Sequence, residues 1–332
     1  MLPFKLVYHK GYDLNLGEHV FPSQKFRLIA HSLLQGGIAA AEDFLTPGPA
    51  ADADILRVHT AEWVHKLKTG TLTASEIMKL EIPYSREAVE ACWLAAGGSI
   101  LAGQSALRDG FGCNLGGGFH HAYPGHGEGF CAIHDVAVAI RRLQFDGAIR
   151  KAIVVDTDVH QGNGTAAIFA GDASVFTLSI HQENNYPAYK PPSDLDLEMA
   201  DRVDDDEYLG ALIPAVQAAL DEFQPEILFY VGGADPFCED QLGGLSLSKN
   251  GLKTRDRRVF EEARRREIPV ATALAGGYAR RIEDTIWIHV NTIVAAKEVA
   301  LAFPSVLRLG RSRLKPDANT PNPVCGQGHG GG

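Results

Sequence analysis

The run DTDVH, Asp156 to His160, sets two carboxylates and an imidazole at alternate positions directly after the apolar stretch Ala152 to Val155. Alternate residues of an extended segment point the same way, so Asp156, Asp158 and His160 can converge where such a strand ends. Oxygen and nitrogen donors gathered like this suit a metal ion. Other segments end on similar groups. GGGFHH closes on His120 and His121 after Cys113 to Leu115, Ser179 and His181 follow Val175 to Leu178, GGAD brings Asp235 after Ile227 to Val231, and AGGY brings Tyr278 after Val270 to Leu274.

Each piece alone has an ordinary explanation. An Asp pair after a strand can be a turn or a cap, with Asp158 and Asn163 starting a helix over Gly164 to Phe169. Adjacent histidines in an extended chain face opposite sides, so His120 and His121 could be a polar loop. Asp235 after two glycines reads as a turn, and Tyr278 as a core aromatic with a satisfied hydroxyl. Their joint placement at strand ends is what these explanations do not anticipate. In an open parallel sheet, sites form beyond the carboxyl ends of the strands.

The elements that must position them alternate in type. Ala152 to Val155, Val175 to Ile180, Ile227 to Val231 and Pro269 to Ala275 are short, apolar and read as buried strands. Glu87 to Arg108, Val136 to Phe145, Glu207 to Phe223, Leu252 to Glu267 and Ile282 to Phe303 carry helical spacing. Tyr12 to Lys25 has little periodicity and reads as a loop, placed to rim a pocket. Such alternation predicts an α/β fold: a single domain with a central, mostly parallel sheet flanked by helices on both faces. The domain is expected over 1–310, and 311–332, with its Pro, Asn and Gly run, reads as a disordered tail in which the lone His329 is solvated. No internal repeat is found.

With 332 residues, 45% of them hydrophobic, the chain can bury a large core. A net charge of -10 and a pI near 5.7 argue against nucleic acid as a direct partner, because phosphate tracking needs clustered Lys and Arg. The acidic balance suits solubility, and it would also tolerate basic peptides. Five cysteines, Cys92, Cys113, Cys131, Cys238 and Cys325, form no CxxC pair and no disulfide framework. No apolar run is long enough for a membrane span, and the start MLPFKLVYHKGYD lacks a signal-peptide pattern. A soluble cytoplasmic protein is expected.

Taken in order, GGGFHHA, DTDVHQGNGT, GGADPFCEDQLGGLSLS and AGGY resemble the zinc-dependent histone deacetylases of the arginase and deacetylase superfamily, over roughly Val58 to Ala302. VHTAEWV, ILAGQSAL, DDDEYL and HQENNYP are most similar to class IV members. EHVFPSQKF is similar to a class IV stretch with His-Pro-Phe and a following Lys, except that Val20 follows His19 and Pro22 comes later.

The resemblance implies the arginase/deacetylase fold and a hydrolase that removes acetyl or longer fatty acyl groups from lysine Nε in proteins or peptides. It puts a divalent ion on Asp158, His160 and Asp235, with zinc usual and Fe(II), Mn(II) or Co(II) also compatible with two carboxylates and one imidazole. It makes His121 the general base, served by Asn163, and His120 its electrostatic partner, served by Asp156. Asn163 stands where class I members carry Asp, so His121 should be less basic here. Tyr278, on the loop of Gly276 and Gly277, would donate to the developing oxyanion. Gly129, Phe130 and Tyr186 would flank the lysine stem, and Ser179 with Asp156 would help hold a potassium ion near the divalent one, beside Asp158 and His160.

Three other readings remain open from these residues. An acetylpolyamine amidohydrolase would run the same chemistry on a small free amine. A ureohydrolase would need a two-metal cluster with further Asp and His ligands. A non-catalytic protein would use the same shell only to bind acyl-lysine or a partner.

Overall fold

A computed structural model describes residues 1–304. The expected tail at 311–332, with His329 and Cys325, lies outside the described residues.

Eight strands form one sheet: β1 (Lys5–Val7), β2 (Phe44–Leu45), β3 (Phe111–Asn114), β4 (Ala152–Asp156), β5 (Val175–Gln182), β6 (Leu195–Met199), β7 (Ile227–Gly232) and β8 (Val270–Leu274). Their order is β2-β1-β3-β8-β7-β4-β5-β6, and every neighbouring pair is parallel. All carboxyl ends therefore lie along one edge.

Both faces of the sheet are buried. Ile153, Val155, Leu228 and Tyr230 pack against the helices Lys25–Gln35, Asp205–Phe223, Lys249–Arg265 and Ile282–Ala302. Ala152, Val154, Phe229 and Val231 pack on the opposite side with Ala61–Thr69, Arg86–Asp109 and Asp135–Phe145. A period of two with both phases apolar gives the continuous runs seen in the sequence. This is the single α/β architecture expected for an arginase/deacetylase fold, with a sheet that is parallel throughout.

The expected helices are present with ends shifted by at most three residues, and caps explain several of the shifts. Ser85, Asp204 and Ser248 each accept a backbone N–H of the first turn, which starts the helices before their apolar period does. Gly110 ends Arg86–Asp109 in the left-handed region. The loop expected at Tyr12 to Lys25 is irregular from Asp13 to Gln24, while Tyr12 closes a short 3-10 turn and Lys25 opens a helix. Strands β1, β2 and β6 and the helices Lys25–Gln35, Ala61–Thr69 and Ala74–Leu80 are additions to the sequence reading.

Chain order reverses at the centre of the sheet. After β3 the chain crosses to β4, and β7 and β8 later fill the gap between them. The loops leaving β3, β8, β7 and β4 thus stand side by side, at the switch point where open α/β sheets form their sites.

Candidate active site

Those adjacent loops deliver the expected residues together. Asp158 and His160 follow β4, Asp235 follows β7, Tyr278 follows β8, and His120 and His121 follow β3. Asp158, His160 and Asp235 are buried, and one donor atom from each lies within 4.8 Å of the others. His160 Nδ1 is 3.0 Å from Asp158 Oδ1 and 3.6 Å from Asp235 Oδ2. Among the described residues this is the Asp/His group able to hold a metal ion.

The chemistry of this donor set fits a cation. Two buried carboxylates face one another, and burial together with the Asp158 charge pushes Asp235 up to about 7. Asp235 Oδ2 has no hydrogen-bond partner, although its Oδ1 accepts Val159 N–H at 2.9 Å. A buried acceptor left open in this way needs a donor or a positive charge. Gly276 keeps the space clear, because a Cβ there would overlap Asp235 Oδ2 and sit 2.5 Å from Asp158 Oδ2.

The two histidines are not in an extended chain. A tight turn after Gly117 and Gly118, both with positive φ, brings the His120 and His121 rings together with centroids 4.0 Å apart and planes inclined by 46°, so the two are neighbours rather than on opposite sides. Buried Asp135 fixes that turn by accepting Gly118 N–H at 3.1 Å and Phe119 N–H at 2.9 Å. His120 Nδ1 lies 2.6 Å from Asp156 Oδ2, and His121 Nδ1 lies 2.7 Å from Asn163 Oδ1. Asn163 opens the helix Asn163–Phe169, but Gly162 occupies the cap position and Asp158 takes no part in it.

Their environments push the two imidazoles apart. Burial works against a charged His120, but the Asp156 and Asp158 carboxylates outweigh it and lift the ring to about 9. Burial, with His120 and His160 beside it, holds His121 well below the ordinary histidine range. A proton-accepting ring next to a charged one is an acid/base arrangement. Burial is the largest cause of that lowering, and the hydrogen bond to Asn163 works against it, so the lowering is not a consequence of the amide at position 163.

Tyr278 is buried, and burial followed by the Asp158 and Asp235 charges raises its phenol well above the ordinary value, so it stays a donor. Its backbone is gripped by Asp240 Oδ2, which accepts Tyr278 N–H at 2.6 Å, and by Gln241 Nε2, which donates to Tyr278 O at 2.9 Å. The preceding Gly277 has φ +151°. A cavity of about 410 Å³ is lined by His121, Phe130, His160, Tyr186, Leu242 and Tyr278 among others. Gly129 and Phe130 both take positive φ, 53° and 69°, which a phenylalanine rarely adopts. Phe21, from the irregular segment before Lys25, has its ring centroid 5.8 Å from that of Phe130 and 6.2 Å from that of Tyr278, and it lines a smaller pocket shared with His120, His121 and Asp158 rather than the cavity itself.

Ser179 and His181 sit differently from expectation. β5 runs on to Gln182, so both lie within the strand, where Ser179 Oγ bonds His181 Nδ1 at 3.0 Å. Ser179 pairs in register with Asp156 of β4 and so stays beside the site. Sequence reading missed Asp135, Asp240 and Glu128, whose carboxylate accepts from Asn163 and Tyr186. It also missed Lys25, wholly buried, with Nζ donating to Ala275 O. Glu128 and Asp240 lie in loops and Lys25 and Asp135 at the first position of helices, where a polar residue carries no periodic signal that marks it.

Comparison with known proteins agrees with this arrangement. Residues 19–294 match the profile of the histone deacetylase domain. The chain is 40% identical to an uncharacterised protein of Picosynechococcus sp. over 297 residues, covering 89% of this chain and 99% of that one. It is 31% identical to Histone deacetylase 2 of Arabidopsis thaliana, over 85% of this chain and 77% of that one. The crystal structure of the HDA15 HD domain has the same fold, with a TM-score of 0.74 at 23% identity over 92% of this chain and 90% of that one. A match over most of the chain, on a shared α/β fold, places it among hydrolases: the chain belongs to the histone deacetylase domain family.

Proposed function

We propose that the chain is a metal-dependent lysine deacylase, hydrolysing N-acyl-lysine of proteins or peptides. The observation that carries this is the single cavity onto which His121, His160 and Tyr278 all open. Asp158, His160 and Asp235 would hold the divalent ion, zinc or Fe(II), Mn(II) or Co(II), with room left for ligands that are not protein. Bound there, the ion would polarise the acyl carbonyl and acidify water.

The chain's own groups do the rest. His121 Nδ1–H donates to Asn163 Oδ1, which leaves Nε2 as the acceptor for the proton of the attacking water. That proton is then returned to the leaving lysine amine as the C–N bond breaks. His120, held by Asp156, stabilises the negative charge that develops beside it. The Tyr278 hydroxyl donates to the oxyanion. Phe130 and Tyr186 flank the aliphatic stem by apolar contact. Asp156 and Ser179, paired across β4 and β5, would hold a potassium ion.

Similarity to class IV deacetylases, a domain over 1–310 and a cytoplasmic setting belong to the same proposal, the last supported by cysteines 92, 113 and 131, which are free and buried. No helix of the described residues is long and apolar enough to cross a membrane.

One observation favours a second reading. Glu81, exposed, lines the same cavity, and an acid at its rim would attract the free ammonium groups of an acetylpolyamine. A panel of acetyl- and fatty-acyl-lysine peptides against acetylated polyamines decides between them. Faster turnover of the peptides is expected, and turnover confined to polyamines would overturn the first reading.

A further inference from the structure

Glu128 is buried, yet the chemistry described so far gives it no task. Its Oε1 accepts from Asn163 Nδ2 at 2.5 Å and from the Tyr186 hydroxyl at 3.1 Å. Its Oε2 lies 3.1 Å from His126 Nε2 and 3.4 Å from Lys79 Nζ. Asn163 in turn reaches His121 with its other end. An imidazole, an amide and a carboxylate thus stand in one hydrogen-bonded line.

The line has a direction. A carboxylate only accepts, so the atom of Asn163 that faces Glu128 must be the amide nitrogen. The amide oxygen then faces His121, where it also accepts Gly164 N–H at 3.0 Å. An oxygen at that point requires His121 Nδ1 to carry the hydrogen and frees Nε2 as acceptor. Ion pairing with Lys79, half exposed, would by itself be worth little and would not require burial against Asn163.

We infer that Glu128 is a positioning residue for His121: it supplies, one residue further out, the negative charge that Asn163 lacks, and it makes an amide rather than a carboxylate the fitting group at position 163. Through Tyr186 the same carboxylate ties the base to the channel wall, whose ring lies 5.0 Å from that of His121. The inference rests on reading His121 as the base of a deacylase.

Three isosteric variants test it in the full-length, metal-loaded enzyme: Glu128→Gln, Asn163→Asp, and both together. Glu128→Gln keeps the acceptor and removes the charge, so kcat should fall about tenfold with KM little changed. Asn163→Asp sets two carboxylates face to face, and kcat should fall about 100-fold. In the double variant the glutamine amide can donate to the new aspartate, so kcat should recover about tenfold over Asn163→Asp alone. A purely structural Glu128 would give no such rescue. A double variant as slow as Asn163→Asp or slower, or a Glu128→Gln enzyme of unchanged kcat, overturns the inference. If the wild-type protein turns over no acyl-lysine peptide, the functional reading fails separately. The relay is then read from denaturation of the same four proteins, where Glu128→Gln must relieve the destabilisation caused by Asn163→Asp, and independent effects would overturn it.

Discussion

Asp158 Oδ2 accepts the backbone N–H of Gly276 at 2.9 Å, a bond that joins the end of β4 to the loop after β8 across β7. It fixes a carboxylate that the sequence alone leaves free to turn. It also brings the Gly276 backbone so close to Asp235 that no side chain fits between them.

Gly276→Ala is therefore expected to damage the ion site while sparing the fold. Its Cβ would meet both carboxylates, so affinity for zinc should fall roughly 10–100-fold. Titration calorimetry with zinc, beside thermal denaturation of the metal-free protein, checks this. Wild-type affinity in the variant would count against the placement.

Removing the imidazole at position 121 should separate binding from chemistry. His121→Ala is expected to keep one metal ion per chain and wild-type peptide binding, and to lose roughly 10²–10⁴ in kcat. Metal analysis with steady-state kinetics reads both. Equal loss of metal would show that the ring holds the ion rather than a proton.

Tyr278→Phe removes only a hydroxyl from a residue whose backbone is held by Asp240 and Gln241. A donor used at the oxyanion should cost roughly 10²–10³ in kcat and leave KM close to wild type. A rise in KM with constant kcat would instead make Tyr278 a wall of the channel.

A fourth expectation concerns acid stability. His59 is buried, with Nδ1 donating to Tyr123 O at 3.0 Å and Nε2 accepting His134 N–H at 3.0 Å, and burial lowers it to about 4. An unfolded histidine titrates near 6.5. Below that value the unfolded chain takes up a proton that the folded one refuses, so stability is whole above pH 6.5 and drains away as pH falls to about 4. The loss should reach on the order of 2 kcal/mol by pH 5. His59→Gln keeps an acceptor without titrating, so its stability should fall less between pH 7.5 and 5. Equal slopes in urea denaturation would refute this.

Legibility in the sequence followed burial. The central strands β4, β7 and β8 are apolar in both phases and announced themselves, as did the site residues placed directly after them. The edges did not. β1 and β2 are two or three residues long, and β6, LDLEM, is only half-buried and alternates with acids. The helix Lys25–Gln35 has no start signal in the sequence, because Gln24 caps it with no side-chain bond. His120 and His121 face opposite sides in an extended chain, and two glycines with positive φ remove that objection. Glu128 had no signal at all, since a carboxylate between two loop glycines reads as solvated until the fold brings Asn163 against it.

The most direct test is a metal titration of the stripped protein, followed by turnover of an acetyl-lysine peptide. Activity should rise with added zinc or Fe(II) to a plateau at one equivalent per chain, and Asp235→Ala should remove both the binding and the turnover. Full activity without metal, or a plateau reached only at two equivalents, would contradict a single ion held by Asp158, His160 and Asp235.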